Sequence, residues 1–324
     1  MISGYETGQG GRISRDHSLA NQRSRVTAVR SVELAVVDLD AAQDFFTRVW
    51  GLEKNAAQDG VVYLRANGPH FHVLSLREAR GSAVIRIVLE AADRFGVDLL
   101  CERIQQYGCA TDGPPRALTI PGGGYGFGFR DSEGRGFAVV CDVADRDRLE
   151  PAADRPTRLS HVNLNCRDND AAFQFMTTVL GFCLSDRTPQ FRFIRCNEDH
   201  HSLVLGFNDN CFLNHIAFEL PDLDSVMRGI GRMRDFGYAV EWGPGRHGPG
   251  NNVFAYFCGP EEVPIEYTSE MQQVSDNYRV RSPKDWAWPP GRLDQWGITC
   301  GPSARVKNAQ SRFSFLPEGY KLEL

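Results

Sequence analysis

Alternating apolar and polar positions predict short strands separated by a few amphipathic helices. In "VRSVELAVV", from residue 29, every second residue is apolar over most of the run, as in a strand with one buried face. An aspartate then begins the amphipathic segment "DLDAAQDFFTRVWG", which ends at Gly51. Segments such as "GVVYLRA", "HFHVLSL", "RFIRCN" and "HSLVLGF" have strand composition and are bounded by turn residues. The pattern therefore predicts an α+β fold.

The chain also repeats itself. The segment from Val29 aligns without a gap with "LSHVNLNCRDNDAAFQFMTTVLGFC", which begins at Leu159. A second pair, residues 83–108 and 212–237, again consists of a strand, a helix and a closing glycine. Each repeat thus has the order β-α-β-β-β twice. Ten positions of the first alignment carry the same residue 130 positions later: Val32, Leu34, Asp38, Asp40, Ala41, Ala42, Phe45, Thr47, Val49 and Gly51.

The repeats predict two similar domains. A single β-α-β-β-β unit leaves one sheet face uncovered, and pairing two units forms a curved, half-open barrel around an interior. A chain of 324 residues is long enough for two such domains. We predict a flexible leader (1–27), an N-terminal domain (28–143), a linker (144–156), a C-terminal domain (157–270) and an irregular arm (271–324). The arm is rich in Pro, Gly and Trp, and we expect it to pack over one domain and to end in a fraying segment.

Charge and cysteine usage exclude several classes of protein. The formal net charge is -5, without the basic stripe that nucleic-acid binding requires. The nine cysteines are scattered and never form a C-x-x-C pair, so we expect reduced thiols rather than disulfides or a zinc knuckle. No apolar run is long enough for a membrane span, and the leader has no hydrophobic signal segment. We expect a cytoplasmic protein without nucleic-acid or membrane partners.

Comparison of the repeats separates residues kept for folding from residues present for chemistry. Two histidines and one glutamate occur on strands of the C-terminal repeat where the N-terminal repeat has other residue types. A lone strand histidine is most often structural, but three such differences together are harder to attribute to chance. The three pairs are His161 with Ser31, His215 with Arg86, and Glu266 with Ala138.

Strand geometry allows these three side chains to meet. Alternate residues of a strand point to one face, so three adjacent strands can direct three side chains to one point inside a barrel. Two neutral imidazoles and one carboxylate, with further positions left open, are typical of non-haem Fe(II) centres that bind oxygen. We therefore predict that His161, His215 and Glu266 bind a metal ion.

Further candidates for proton transfer lie in the same repeat. "CNEDHHSLVL" places His200 and His201 together at a strand start, with side chains expected on opposite faces. His201 aligns with His72, so a structural role for it stays open. The Gly- and Pro-rich loop "WGPGRHGPGNN" can bring His247 close to a ligand, and Tyr256 follows on a strand. This loop lacks the Lys-Ser/Thr ending of a phosphate-binding P-loop.

With these residues assembled, the chain resembles the two-domain type I extradiol ring-cleavage dioxygenases of the vicinal oxygen chelate superfamily. That superfamily also contains glyoxalase I and the bleomycin-resistance proteins. The resemblance covers about residues 28–270 and rests on "SHVNLN", "NEDHHS", "LNHIAFE", "GRHGPGNN", Tyr256 and "PIEYTSE", in the order found in the family. It implies the vicinal oxygen chelate fold, with a metal site only in the C-terminal domain.

The resemblance also implies cofactors and roles. Fe(II), or in some members Mn(II), would be held by the three predicted ligands, and a catecholic aromatic diol would be cleaved beside its hydroxyl groups by O2. His201 would be the acid/base residue, His247 would contact a substrate hydroxyl, and Tyr256 would lie beside the bound diol. Family members often assemble, so a homo-oligomer is expected.

One motif departs from the family pattern. Biphenyl-type members have an Asn-Asp pair shortly after the equivalent of His247, whereas this chain has "GPGNN". Asn251 and Asn252, together with His200, are therefore only candidate substrate contacts, and the identity of the diol stays open.

Two other functions fit the same scaffold. A glyoxalase-like metal-dependent isomerase or lyase would also use paired β-α-β-β-β units, but typically has a fourth protein ligand and does not require O2. A metal-free small-molecule binding protein is the other alternative, against which the two histidines and the glutamate argue.

Overall fold

The structure, a computed structural model, describes residues 25–150, 152–286 and 288–323. Most of the predicted leader lies outside the described residues. Val26 and Thr27, which the sequence pattern assigned to that leader, already belong to the first strand. The described residues form two large sheets, one in each repeat.

The N-terminal repeat forms a nine-stranded sheet with the order β2-β3-β4-β1-β5-β9-β8-β6, and β7 pairs with β8. Its helices are α1 (Leu39–Asp44), continued by the π-helical turn Phe45–Val49, and α2 (Arg94–Gln106). The strands are β1 (Val26–Val36), β2 (Glu53–Gln58), β3 (Val61–Arg65), β4 (Leu74–Glu78), β5 (Ala83–Ala91), β6 (Ala110–Thr111), β7 (Arg116–Ala117), β8 (Tyr125–Arg130) and β9 (Gly136–Cys141).

The C-terminal repeat forms an eight-stranded sheet with the corresponding order β11-β12-β13-β10-β14-β17-β16-β15. Its helices are α3 (Asn169–Thr178) and α4 (Leu223–Asp235), and α5 (Ala304–Ala309) follows in the arm. The strands are β10 (Arg158–Cys166), β11 (Cys183–Arg187), β12 (Phe191–Arg195), β13 (Leu203–Phe207), β14 (Leu213–Glu219), β15 (Trp242–Arg246), β16 (Val253–Cys258) and β17 (Pro264–Ser269).

Each sheet consists of two β-α-β-β-β units joined through their first strands. β1 pairs antiparallel with β5, and β10 pairs antiparallel with β14. The outermost strands of each sheet are not hydrogen-bonded to each other, so neither sheet closes. The predicted fold class, α+β with paired units in half-open barrels, is confirmed.

Aspartates begin the main helices, as the sequence pattern predicted for the first helix of each repeat. Asp38, Asp93, Asp168 and Asp222 each accept a hydrogen bond from the backbone N–H three residues later. Such a cap satisfies a donor that has no partner within the helix and typically contributes about 1 kcal/mol.

A β-bulge directs the first metal-ligand candidate into the concave face. The pairing of β10 with β14 shifts register between Leu159 and His161, and the pairing of β1 with β5 shifts at the matching place, between Val29 and Ser31. Because the bulge inserts one residue, Leu159 and Val162 both enter the hydrophobic core while His161 turns toward the opposite face.

The two repeats pack through an aromatic contact. Trp50, at the end of the first helical segment, is fully buried and stacks on Tyr267 of β17 with ring centroids 3.7 Å apart. The Tyr267 hydroxyl donates a 2.7 Å hydrogen bond to the Trp50 carbonyl. At a second contact between the repeats, Phe175 of α3 packs against Phe129 of β8 with ring centroids 6.0 Å apart.

The arm crosses both sheets, whereas we expected it to pack over one domain and fray. The N–H of Gln295 donates to the Arg246 carbonyl in the C-terminal repeat. Further along, the Val84 N–H donates to the Ser314 carbonyl and the Leu322 N–H to Asp112 Oδ2, both contacts with the N-terminal repeat. The arm therefore ties the two repeats together up to its last turn.

Two further expectations can be compared with the structure. All nine cysteines are free thiols, as predicted, and Cys183 and Cys300 are exposed. Among the described residues, no helix has the length and apolar character needed to cross a membrane.

Replacing Trp50 tests the contact between the repeats. Trp50→Ala should lower the free energy of unfolding by about 3–5 kcal/mol, since it removes a large buried ring and leaves a cavity. Trp50→Leu should cost less, because Leu180 occupies the matching position of the other repeat. Chemical denaturation measures both. Phe95→Ala, at a ring that is 52% exposed, serves as the control and should change stability by less than about 0.5 kcal/mol. Equal losses in Trp50→Ala and Phe95→Ala would contradict this account.

Candidate metal centre

The three predicted ligands converge on one point. His161, His215 and Glu266 lie on the adjacent strands β10, β14 and β17, and their ligand atoms all lie within 4.8 Å of one another. The two Nε2 atoms are 3.2 Å apart, and Glu266 Oε2 lies 3.4 Å from His161 Nε2 and 3.0 Å from His215 Nε2. The expected arrangement of three strands around one point is thus present.

Hydrogen bonds on the far side of each ring orient the imidazoles. His215 Nδ1 lies 2.9 Å from Asn214 Oδ1, and His161 Nδ1 lies 3.3 Å from Ser160 Oγ. The Asn214 amide in turn donates to Asn165 Oδ1 at 3.0 Å, so its oxygen is the atom that faces His215. An oxygen acceptor at Nδ1 keeps the proton there and leaves Nε2 as a lone pair for a cation.

Burial and charge also favour a cation at this point. Glu266 is fully buried, and neither of its carboxylate oxygens has a conventional hydrogen-bond partner. Burial opposes its ionisation, but the two adjacent histidines outweigh that effect and hold the pKa of Glu266 below its ordinary value. Burial lowers the pKa of His215, which keeps that ring neutral at neutral pH. Two imidazoles and a carboxylate form a donor set that fits Fe(II) or Mn(II).

The N-terminal repeat fills the same place with an ion pair. Arg86, the counterpart of His215, lies 2.9 Å from Glu33, which also contacts Arg77 at 3.3 Å. Ser31, the counterpart of His161, contacts His72 at 3.3 Å. The cavity there has a volume of only about 60 Å³. The sequence difference between the repeats therefore has a structural meaning. The N-terminal repeat has an ion pair beside a small cavity, and the C-terminal repeat has a group of potential metal ligands beside a large one.

A cavity of about 410 Å³ opens next to His161 and His215. His201, His247 and Tyr256, the predicted catalytic residues, all line it. The His201 ring lies 4.5 Å from the His161 ring, centroid to centroid, and His247 Nε2 lies 3.1 Å from the Tyr256 hydroxyl. These three residues share the cavity with the two histidine ligands.

Burial sets the protonation states of these three side chains. It lowers the pKa of His201 well below its ordinary value and that of His247 to about 4. Burial and the nearby Glu266 carboxylate raise the pKa of Tyr256 well above its ordinary value. At neutral pH the cavity therefore presents two neutral imidazoles and a protonated phenol.

The three candidate substrate contacts lie elsewhere. His200 is fully buried behind His201, with its Nδ1 3.0 Å from His201 Nδ1. Asn252 is fully buried and donates to Thr268 Oγ1 at 2.8 Å, and Asn251 is exposed and accepts from Gln295. None of the three is among the described residues that line the cavity.

Several residues of the site were not found from the sequence. Asn214 and Ser160 each directly precede one of the two histidines and contact its Nδ1 atom. A polar residue next to each histidine in the sequence was the signal that could have identified them. Trp286 and Trp288 of the arm also line the cavity, but no periodic pattern connects them to it.

Comparison with known proteins agrees with this geometry. A sequence model of the Glyoxalase/Bleomycin resistance protein/Dioxygenase superfamily matches residues 28–139 and 158–267, one match in each repeat. The chain belongs to this superfamily. The cluster of His161, His215 and Glu266 lies in the second matched region, and the first matched region has other residue types at the corresponding positions.

Two relatives of this superfamily member carry dioxygenase names. The chain is 33% identical over 165 residues to Metapyrocatechase 2 of Cupriavidus necator, a match covering 48% of this chain and 49% of that protein. It is 26% identical over 274 residues to Biphenyl-2,3-diol 1,2-dioxygenase of Metapseudomonas furukawaii, covering 78% of this chain and 90% of that protein.

One similar solved structure is named a glyoxalase rather than a dioxygenase. The chain is 36% identical to a Mn(II)-bound glyoxalase from Novosphingobium aromaticivorans, with a TM-score of 0.81 and coverage of 87% of this chain and 94% of that one.

Removing one ligand tests the metal site. His215→Ala should weaken metal binding by at least about 100-fold, because even the outer partners of metal ligands are worth about 10–100-fold in affinity. The fold should persist, since the N-terminal repeat folds with a different residue at this position. Metal content after Fe(II) or Mn(II) loading and gel filtration, with circular dichroism, measures both effects. His70→Ala in the N-terminal repeat is the control; equal metal retention in the two variants would refute the ligand assignment.

Proposed function

We propose that the protein catalyses extradiol cleavage of a catecholic aromatic diol by O2 at a non-haem Fe(II) centre. The observation that carries this proposal is the convergence of His161, His215 and Glu266 beside a cavity. The two histidines line this cavity together with His201, His247 and Tyr256. The dioxygenase names of the two relatives support it. We also propose that the protein is cytoplasmic and that it is a homo-oligomer, the latter because the family resemblance implies it.

Three protein ligands on one side leave positions open toward the cavity. Fe(II) bound there would supply coordination sites for the two diol oxygens and for O2, and a path for electrons between them. Mn(II), found in the structural neighbour from Novosphingobium aromaticivorans, fits the same nitrogen and oxygen donors. The remaining requirements, which are binding, orientation and proton transfer, fall to side chains of the cavity.

Tyr256 and His247 are placed to hold the diol. The phenol of Tyr256 stays protonated because burial raises its pKa, so it can donate a hydrogen bond to an ionised diol oxygen. His247 contacts that phenol and stacks on Phe254 with ring centroids 3.9 Å apart, which fixes its plane. His201, neutral and near the ligands, can accept a diol proton and return it when the ring opens. The product would be a ring-opened hydroxymuconate-type acid or semialdehyde.

The cavity wall indicates an uncharged substrate. No lysine, arginine, aspartate or glutamate is among the described residues lining the cavity, so a substrate carboxylate would be desolvated without a partner. The volume of about 410 Å³ lies within the usual range of small-molecule sites and exceeds what a single ring needs. We therefore expect a diol with an apolar or aromatic substituent. The aromatic lining residues are Phe191, Phe193, Trp242, Tyr256, Trp286 and Trp288.

A glyoxalase-like isomerase or lyase is the second candidate. The Mn(II)-bound glyoxalase named above favours it, because it matches most of both chains. The donor set argues against it: among the described residues the cluster has three members, whereas glyoxalase-type sites typically have a fourth protein ligand. A metal-free binding protein is disfavoured by the buried Glu266 carboxylate, whose oxygens need a cationic partner.

An oxygen electrode distinguishes the candidates. Protein loaded with Fe(II) under anaerobic conditions should consume O2 and form a yellow product with biphenyl-2,3-diol or 3-methylcatechol. Catechols that carry a carboxylate should react more slowly. The control is anaerobic incubation with a hemithioacetal of methylglyoxal. Turnover there, together with no O2 uptake with any diol, would replace the proposed reaction with the glyoxalase-type one.

Replacing His201 tests proton transfer. His201→Asn should retain metal but turn over about 100- to 10,000-fold more slowly, because it removes the acid/base group from the cavity. Steady-state O2 uptake and metal analysis measure the two effects. His72→Asn, the same change at the matching position of the N-terminal repeat, is the control and should leave the rate unchanged. A normal rate in His201→Asn would remove His201 from the mechanism.

A further inference from the structure

A buried chain of polar groups leads from the protein interior to His201. Asp186 Oδ2 lies 2.8 Å from His200 Nε2, and His200 Nδ1 lies 3.0 Å from His201 Nδ1. The exposed fractions of the three residues are 0%, 0% and 2%, so water does not compete for these contacts. His201 is the member of this chain that lines the cavity.

The arm holds the far end of this chain. Asp186 Oδ1 accepts the backbone N–H of Arg281 at 2.8 Å, and Asp186 Oδ2 accepts the Tyr278 hydroxyl at 3.2 Å. These two donors and His200 satisfy a carboxylate that is otherwise costly to bury. Asp186 therefore accepts hydrogen bonds from all three groups. This places the proton of His200 on Nε2.

The histidine that both repeats share is His201 in the C-terminal repeat and His72 in the N-terminal repeat. The repeats differ at the positions of Asp186 and His200. The bulge between Leu184 and Asp186 matches the bulge between Lys54 and Ala56, so Ala56 is the counterpart of Asp186. The residue before His72 is Phe71, the counterpart of His200. The N-terminal repeat, which has no metal ligands, thus keeps the histidine but lacks the aspartate and histidine behind it.

We propose that Asp186 and His200 are positioning residues that fix the tautomer of His201. The carboxylate of Asp186 accepts the proton of His200 Nε2, and this leaves His200 Nδ1 as a lone pair. That lone pair accepts the proton of His201 Nδ1, so His201 presents an unprotonated Nε2 to the cavity. The inference rests on the proposed function for its catalytic consequence, but the tautomer is a property of the protein alone.

This tautomer makes His201 a base before it becomes an acid. A proton leaves the diol hydroxyl for His201 Nε2, which gives an imidazolium and an ionised diol oxygen. Asp186 stays ionised and stabilises the positive charge through His200, as the buried aspartate does in a serine protease triad. The same proton then passes from Nε2 to an oxygen of the opened ring, and His201 returns to its neutral form. Neither proton transfer changes an oxidation state.

Nitrogen NMR of metal-free protein labelled with ¹⁵N-histidine tests the tautomer without any turnover. In the unmodified protein, at a pH where histidine is neutral, His201 should be protonated at Nδ1 and unprotonated at Nε2. In Asp186→Asn the amide donates to His200 Nε2, which reverses both tautomers and places the His201 proton at Nε2. His201→Asn identifies the signals. A His201 protonated at Nε2, or a doubly protonated His200, in the unmodified protein would overturn the proposal.

Kinetics of the Fe(II)-loaded variants test the consequence. Asp186→Asn should lower kcat by about 100- to 10,000-fold with little change in KM and in metal content, because only the proton position changes. His200→Phe, the residue that the N-terminal repeat carries, should also slow turnover while preserving the fold. Asp199→Asn is the matched control: Asp199 is a nearby buried carboxylate that contacts Arg158 and Gln273 rather than a histidine.

The two tests separate the inference from the proposed function. A normal kcat in Asp186→Asn, or an equal fall in Asp199→Asn, would overturn the positioning role. If the unmodified protein consumed no O2 with any diol, the proposed function would fail, and the tautomer measurement would still decide the arrangement of Asp186, His200 and His201.

Discussion

A fully buried carboxylate is the constraint on which the site depends. Glu266 lies in the interior of the C-terminal sheet, where an ionised group without a partner is strongly destabilising. The Nε2 atoms of His161 and His215 lie 3.4 and 3.0 Å from it, and the Nδ1 atoms of these histidines contact Ser160 and Asn214. A cation shared by all three would satisfy the carboxylate and both lone pairs at once. The surrounding strands, bulge and hydrogen bonds are consistent with this single requirement.

The duplicated scaffold shows two solutions to the same problem. Both sheets have the same strand order and the same bulge on the central strand, so both direct a side chain into the concave face. In the N-terminal repeat, Arg86 and Arg77 neutralise Glu33, and the resulting interior is almost closed. In the C-terminal repeat, the imidazole of His215 stands where the N-terminal repeat has the guanidinium of Arg86. The residue differences between the two repeats therefore account both for the larger cavity of the C-terminal repeat and for a buried carboxylate that, among the described residues, has no cationic side chain beside it.

Periodicity and internal repetition were sufficient to predict the fold class, the aspartate caps of the first helix in each repeat, and the convergence of His161, His215 and Glu266. These features depend on local pattern and on the contrast between aligned repeats. The position of the His200 side chain depends on tertiary packing as well as on local pattern. We expected alternate faces of a strand for His200 and His201, but both precede β13, where the backbone is not extended in a ladder and strand alternation does not apply. Asn251 and the contact of the arm with both sheets likewise depend on packing between segments far apart in sequence.

The arm contributes residues both to the cavity wall and to the polar contacts behind His201. Trp286 and Trp288 form part of the wall that a substrate substituent would contact, and the preceding residues Tyr278 and Arg281 bind the carboxylate behind His200. A displacement of this segment would therefore alter the aromatic wall and the polar chain to His201 together. Because the arm ends on the N-terminal sheet, the repeat without metal ligands stabilises the position of residues that surround them. This gives the N-terminal repeat a role in the site although it contributes no ligand.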